Sequence, residues 1–331
     1  MTEDRAREIA RESAREAIDG YTVEAQTIAA ERIARFDGIL IDGLARQGLL
    51  GAMADPAFQV ALRKAQIGAA STERDNDYDI LAALIEDRAK RADDRPVRAG
   101  INRAIEIVDQ MDSQALRGLT VYAAAAQYSP LNGDVDEGLG AMDRMLEQLS
   151  EGLELPSGRA WIEHLDVLGA VRQDSIQSFK KLADYWTEKT PGYLSVGLPA
   201  GAEEGTAAIA ELRDVHRISV APVPHTFKPG YERLPFTGSN GFRSLLVGAG
   251  KSDAEAEAAA AVASSAYKLD ERDDSLVPAY RERLCTLPTL NQIAGWWDEF
   301  AVFFSVTPVG SVVARANSKR LDKAGFLPPI E

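Results

Sequence analysis

Between Asp55 and Arg91 apolar residues recur at helical spacing twice in succession, and no other stretch constrains the chain as strongly. Phe58, Leu62, Ala65 and Ala69 stand at i, i+4, i+7 and i+11 behind Asp55-Pro56. An Asp accepts hydrogen bonds from the free amides of a first helical turn, and Pro fits the first helical position. Polar residues 71–77 interrupt the pattern, and Tyr78, Leu81, Ala82, Leu84, Ile85 and Ala89 resume it. Two amphipathic helices laid end to end must bury their faces against other elements, so the pattern predicts a packed helical body.

The same period extends in both directions. In residues 3–19, Arg7, Arg11 and Arg15 interleave with Glu8, Glu12 and Glu16. Ala6, Ile9, Ala10, Ala14, Ala17, Ile18 and Tyr21 form a thin apolar seam. This predicts an exposed helix or half of a coiled coil. Further helices are expected over Val23–Phe36 and Asp37–Leu50. Pro96 opens another, with Ile101, Ala104, Ile105 and Val108 inward. Asp112 caps the next, and Pro130–Asp136 is a loop. Helices are then expected at Asp136–Leu149, Ser157–Val171, Asp174–Thr187 and Glu203–Arg213, the last behind a loop at Thr190–Ala202.

Residues 216–250 differ in character. Arg217-Ile218-Ser219-Val220-Ala221 reads as a strand, and Pro222, Pro224, Pro229 and Pro235 with Gly230, Gly238 and Gly241 oppose long regular structure afterwards. Helices return at Ser252–Leu269, Asp274–Leu284, Thr289–Phe304 and Thr307–Ala324. The expected fold is mainly α, a multi-helix array with a short irregular, partly extended insertion. Its parts are 1–50 as N-terminal helices and an oligomerisation arm, 51–198 as helical core, 199–250 as a loop-rich insertion with a short strand, and 251–331 as C-terminal helices packing on the core.

Charge narrows the function classes. The chain is acidic, with 51 Asp and Glu against 37 Lys and Arg. The resulting net charge of -14 opposes unaided binding to nucleic acid or anionic lipid. No apolar run reaches the roughly 20 residues of a spanning helix. The opening residues lack the apolar segment of a signal peptide, so the cytoplasm is the expected compartment. Cys285 is the single cysteine and excludes an intramolecular disulfide. Its neighbours Leu284 and Leu287 predict a buried, unreactive thiol.

Several segments invite chemical readings. Gly248-Ala249-Gly250-Lys251-Ser252 resembles the end of a phosphate-binding loop, but Leu245 stands where that loop needs Gly. The favoured reading is a capping box between Ser252 and Glu255. His164, His216 and His225 show no metal-ligand spacing, so no metal is expected. Asp270, Glu271, Asp273 and Asp274 lack the Gly and terminal Glu of a calcium loop and read as a turn in which Asp274 caps a helix. Arg315, Lys319, Arg320 and Lys323 form a basic strip on the last helix, which complements the helix dipole without needing nucleic acid. Trp296, Trp297, Phe300, Phe303 and Phe304 read as core packing.

Asp55-Pro56, Gln59, Leu62, Ala65-Gln66 and the Leu84-Ile85-Glu86-Asp87-Arg88 end resemble an uncharacterised bacterial family of helical proteins, the Lpo/Vpar locus-tag family. The resemblance continues through Asn102, Ala104-Ile105, Leu116, Leu119-Thr120, His164-Leu165, Leu168-Gly169, Tyr193-Leu194-Ser195 and Gly197. It closes with Thr307-Pro308-Val309-Gly310, Ala314 and Ala316-Asn317, covering about residues 6 to 320. It implies a mostly helical bacterial protein, associated with accessory or defence gene neighbourhoods. It transfers no activity, so no catalytic or cofactor-binding residue is assigned and no cofactor is expected.

The residues favour a non-catalytic interaction or regulatory protein acting through self-assembly or a protein partner. The alternative is an enzyme or small-ligand sensor whose site lies under the 216–250 segment.

Overall fold

The computed structural model describes residues 3–91, 94–130, 133–174 and 176–327, with side chains from Thr22 onward. Among them, α1 (Glu3–Arg46) is one unbroken helix of 44 residues. The expected breaks after residue 19 and at Asp37 do not occur. Gly in a helix interior costs only about 1 kcal/mol, and no Pro interrupts this stretch. A 3-10 turn at Leu50–Ala54 follows. The side chains of the predicted seam, Ala6 to Tyr21, lie outside the described residues.

The next helices begin where local chemistry places them. α2 (Pro56–Ser71) starts behind Asp55, whose Oδ1 accepts from the Ala57 N–H at 3.0 Å. α3 (Asp75–Lys90) and α4 (Arg95–Ile105) follow, the latter capped by Asp94. α5 (Ser113–Gln127) begins behind Asp112, whose Oδ1 accepts from Gln114 and Ala115. α6 (Val135–Ser150) is capped by Asp134.

Beyond this point two expected helices shorten. α7 (Ala160–Val167) stops early, and β1 (Val171–Asp174) begins at the last residue of the predicted helix and runs into the first of the next. α8 (Leu182–Lys189) begins eight residues later than Asp174 suggested. β2 (Leu198–Pro199) and α9 (Glu203–Asp214) follow. The strand expected at 217–221 is absent because Arg217 takes a left-handed backbone with φ 58°, which cannot continue an extended chain. Extended structure falls instead at β3 (Val223–Pro224) and β4 (Tyr231–Arg233). The segment then ends in a helix, α10 (Ser239–Gly248).

α11 (Asp253–Tyr267), α12 (Val277–Cys285) and α13 (Pro288–Asp298) lie where helices were expected. The helix predicted to reach Phe304 ends at Asp298, and Phe303 begins β5 (Phe303–Val306). α14 (Pro308–Leu321) completes the order behind Thr307. The fold is therefore mainly α. Its strands form a β1–β5 pair and an antiparallel sheet ordered β2–β4–β3, so extended structure is not confined to 216–250.

The chain divides into two compact units, each drawn from separated segments. One comprises Met1–Thr120, Ala160–Gln173 and Phe304–Lys323. Within it α3 contacts α1, α2, α4 and α14. Phe36, Leu40 and Leu44 of α1, Phe58 and Ala65 of α2, and Ile80, Leu81, Leu84 and Ile85 of α3 are buried. Removing each Phe, Leu or Ile of this set from water contributes about 1.5–3 kcal/mol.

The other unit comprises Val121–Arg159, Asp174–Phe303 and Ala324–Glu331. Its α6, α8, α12 and α13 pack together, and α9 and α10 pack on α11. The second group encloses Leu198, Leu212, Leu234, Phe236, Phe242, Leu246 and Tyr267. Phe236 and Phe242 stack with centroids 4.1 Å apart.

Candidate functional site

Because four helices contact α3, part of its charge is covered while Asp75 and Asp79 stay exposed. Asp77, Glu86, Asp87 and Arg88 are all buried. Buried charge is costly unless paired, so partners must come from neighbouring elements. Thr72 donates its hydroxyl to Asp77 Oδ2 at 2.5 Å, and Arg74 donates Nε and Nη2 to the same oxygen at 3.1 and 2.9 Å. Asp77 Oδ1 has no hydrogen-bond partner. Burial pushes the Asp77 carboxyl above the ordinary range, against the lowering effect of Thr72 and Arg74.

Asp87 faces Arg315 of α14 at 3.4 Å, and Arg88 lies 4.0 Å from Asp55. Burial pushes the Arg88 guanidinium down, as does nearby Arg98, while Asp55 raises it. On α14, Asn317 Nδ2 donates to Thr120 Oγ1 at 2.9 Å, and Arg320 Nε donates to Asn317 Oδ1 at 3.0 Å.

Beside this network α1, α3 and α14 border an open cleft of about 560 Å³. Its lining is Ile39, Arg46 and Gln47 from the α1 side, Asp79, Ala82, Ala83 and Glu86 from α3, and Ala316, Lys319 and Arg320 from α14. Glu86 Oε2 accepts from Gln47 Nε2 at 2.6 Å and lies 3.8 Å from Lys319 Nζ. Its Oε1 sits where a Cβ on Gly43 would come within 1.9 Å, so glycine leaves the space this carboxylate fills. The cleft therefore has a fixed acidic residue in its wall and cationic side chains around it.

The basic strip predicted on the last helix is thus partly internal. Arg315 and Lys319 face acids of α3, and Lys319 and Arg320 line the cleft. In the sequence Glu86 and Asp87 stand at a helix end with nothing to mark them as partners of α14. Only the helix packing joins residues so distant in the chain.

The other predicted candidates have local roles. Ser252 and Glu255 form a capping box, with Glu255 Oε2 accepting from the Ser252 N–H at 3.0 Å. Gly248 ends helix α10, whereas a phosphate-binding loop follows a strand. Lys251 Nζ donates to the His216 carbonyl at 2.9 Å. His164 Nε2 accepts from the Asp112 N–H at 3.1 Å. In the acidic turn Asp273, rather than Asp274, accepts from Ser275. Cys285 is exposed, contrary to the buried setting its leucine neighbours suggested, because it occupies the last, outward position of α12.

The 216–250 segment carries two buried titratable groups. His225 Nε2 donates to the Ser195 carbonyl at 2.9 Å, and its Nδ1 accepts from the Phe227 N–H at 3.2 Å. That pattern fixes a neutral ring, and burial pushes its pKa down. Arg233 is 1% exposed and donates to the carbonyls of Gly133, Gly192 and Leu234. Its guanidinium also lies over the Tyr193 ring, 5.6 Å from the centroid. Both groups fasten main chain to main chain.

The aromatic run is split. Phe304 packs edge-on against Trp161 at 5.6 Å. Trp297 stacks on Tyr122 at 4.8 Å, with Phe179 and Phe300 beside it. Trp296 Nε1 donates to the Pro156 carbonyl at 2.8 Å.

Among the described residues no helix is long and apolar enough to cross a membrane, and no group of three or more His, Cys, Asp or Glu is placed to hold a metal ion. These features define a mainly α protein with a charged interhelical cleft in one of its units. A family profile described as ":-like" matches residues 1–225. The chain belongs to that family, and the match supports the Vpar-type part of the sequence resemblance. No curated protein and no solved structure matches the chain.

Proposed function

We propose that this chain is a non-catalytic interaction or regulatory protein that works by assembly, pairing with a second copy through its N-terminal helix. The observation that carries the reading is the form of α1. At about 1.5 Å per residue its 44 residues extend roughly 66 Å. From Thr22 to Glu31 every side chain except Ala29 is exposed, including Val23 at 64% and Ile28 at 42%. Packing begins near Arg32, whose Nη1 donates to the Ala70 carbonyl at 3.1 Å. An uncovered helix is marginal in water, and packing of an apolar face is its usual source of stability.

One unbroken helix cannot fold its first turns back onto Phe36 or Leu40 of the same helix. The interleaved Arg and Glu of residues 7–16 suit pairing with an identical helix. Val23, Ile28, Ile41, Leu50, Val60 and Ile67 are exposed and add apolar area in the same part of the chain. A bacterial accessory or defence setting, and the cytoplasm as compartment, rest on the sequence resemblance and composition. Light scattering on the full chain tests the reading, since it expects a mass above that of the 35.8 kDa monomer.

A further inference from the structure

The cleft walled by α1, α3 and α14 has a chemistry that assembly does not use. Three cationic side chains line it, Arg46, Lys319 and Arg320, in a chain whose net charge is -14. Of its two acids, Glu86 is already engaged by Gln47 and packed over Gly43. Lys319 is 46% exposed and sits 3.8 Å from that carboxylate, a loose pairing that leaves its ammonium donors available. Arg46 is exposed and directs Nε to the Asp42 carbonyl, so this bond leaves its terminal nitrogens uncommitted. Ile39, Ala82, Ala83 and Ala316 supply apolar wall between the charges. The volume falls in the range of small-molecule sites.

We propose that this cleft binds a small organic anion, a carboxylate or phosphate monoester on an apolar body, with Arg46 and Lys319 taking the charged head. Asp79 in the lining repels extended polyanions and selects a ligand with one compact head. Ile39 and the alanines take the body. The site does not depend on the assembly reading, because none of its residues lies in the first turns of α1.

Calorimetric titration of the full chain with phenyl phosphate, benzoate and inorganic phosphate tests the proposal. Saturable binding is expected for phenyl phosphate or benzoate, about tenfold tighter than for inorganic phosphate because of the apolar body. A response to phenyl phosphate alone identifies a phosphate ester, and a response to benzoate as well identifies the wider anion class. Arg46→Met and Lys319→Met are each expected to weaken binding about tenfold. Asp79→Asn is expected to tighten it, a change that a merely structural role would not give. These three positions are exposed, so the variants keep the fold. Absence of saturation with both aromatic anions overturns the proposal, as does binding unchanged in the Arg46→Met, Lys319→Met double variant.

Discussion

Glu86 of α3 rests against Gly43 of α1 so closely that a Cβ at position 43 would lie 1.9 Å from the carboxylate Oε1. The same carboxylate accepts from Gln47 and faces Lys319, so one missing methyl group lets three elements meet at one charge. Gly38, five residues earlier on the same helix, has nothing within 4 Å of its Cβ position.

The contrast gives the first prediction. Gly38→Ala should stabilise the fold by about 0.5–1 kcal/mol, the ordinary helix gain. Gly43→Ala should forfeit that gain and end at least about 1 kcal/mol less stable than Gly38→Ala, because Glu86 must leave Gln47. Adding Glu86→Ala should restore much of the difference. Urea unfolding of these chains together with Glu86→Ala alone measures this coupling, and equal effects at positions 38 and 43 would contradict it.

Asp77 gives a pH signature. Its carboxyl is held above the ordinary range, first by burial, so the folded state binds the proton more readily than the unfolded chain. Stability from this group therefore rises as pH falls from neutral toward the ordinary carboxylate range. Asp77→Asn should remove that contribution, together with the part of Asp109's upward shift that Asp77 causes. The difference in unfolding free energy between the two chains should change steadily through this window. A difference independent of pH would show that the carboxyl is not perturbed.

His225 has the opposite sign. Burial depresses its pKa in the fold, so the unfolded chain takes up the proton first. Stability is then lost as pH falls below the ordinary histidine value, about 6.5. Amide exchange near Ser195 and Phe227, once divided by the intrinsic exchange rate at each pH, should accelerate between pH 7 and about 5.5. Exchange that is equally accelerated in His225→Asn would assign the effect to another group.

Arg233 binds three carbonyls in a covered site, so its removal leaves main-chain acceptors without donors. Arg233→Met should destabilise by about 2–5 kcal/mol, whereas a change at a fully exposed position such as Arg213→Met should have little effect. Chemical denaturation of both variants checks the comparison. A loss under about 1 kcal/mol at Arg233 would mean that water replaces the guanidinium at those carbonyls.

What could be read in the sequence was local. Asp55, Pro96 and Asp112 mark helix starts by their own chemistry, and the inward sets of α2 and α3 follow from spacing alone. The pattern predicts helix ends at Val171 and Phe304 and no strand at either place, because β1 and β5 are each four residues long and gain their hydrogen bonds only from a partner remote in sequence. Arg217 occupies a left-handed conformation that its side chain does not announce. The cleft was invisible for a further reason. Its acid and its lysine, Glu86 and Lys319, belong to helices that each read as self-sufficient.

Assembly through the first turns of α1 is what the proposed role requires. Sedimentation velocity at micromolar concentration, on the full chain and on a chain starting at Tyr21, tests it most directly. The account predicts a species larger than a monomer for the full chain and a monomer for the shortened one. A monomeric full chain, or an oligomer unchanged by removal of residues 1–20, would contradict it.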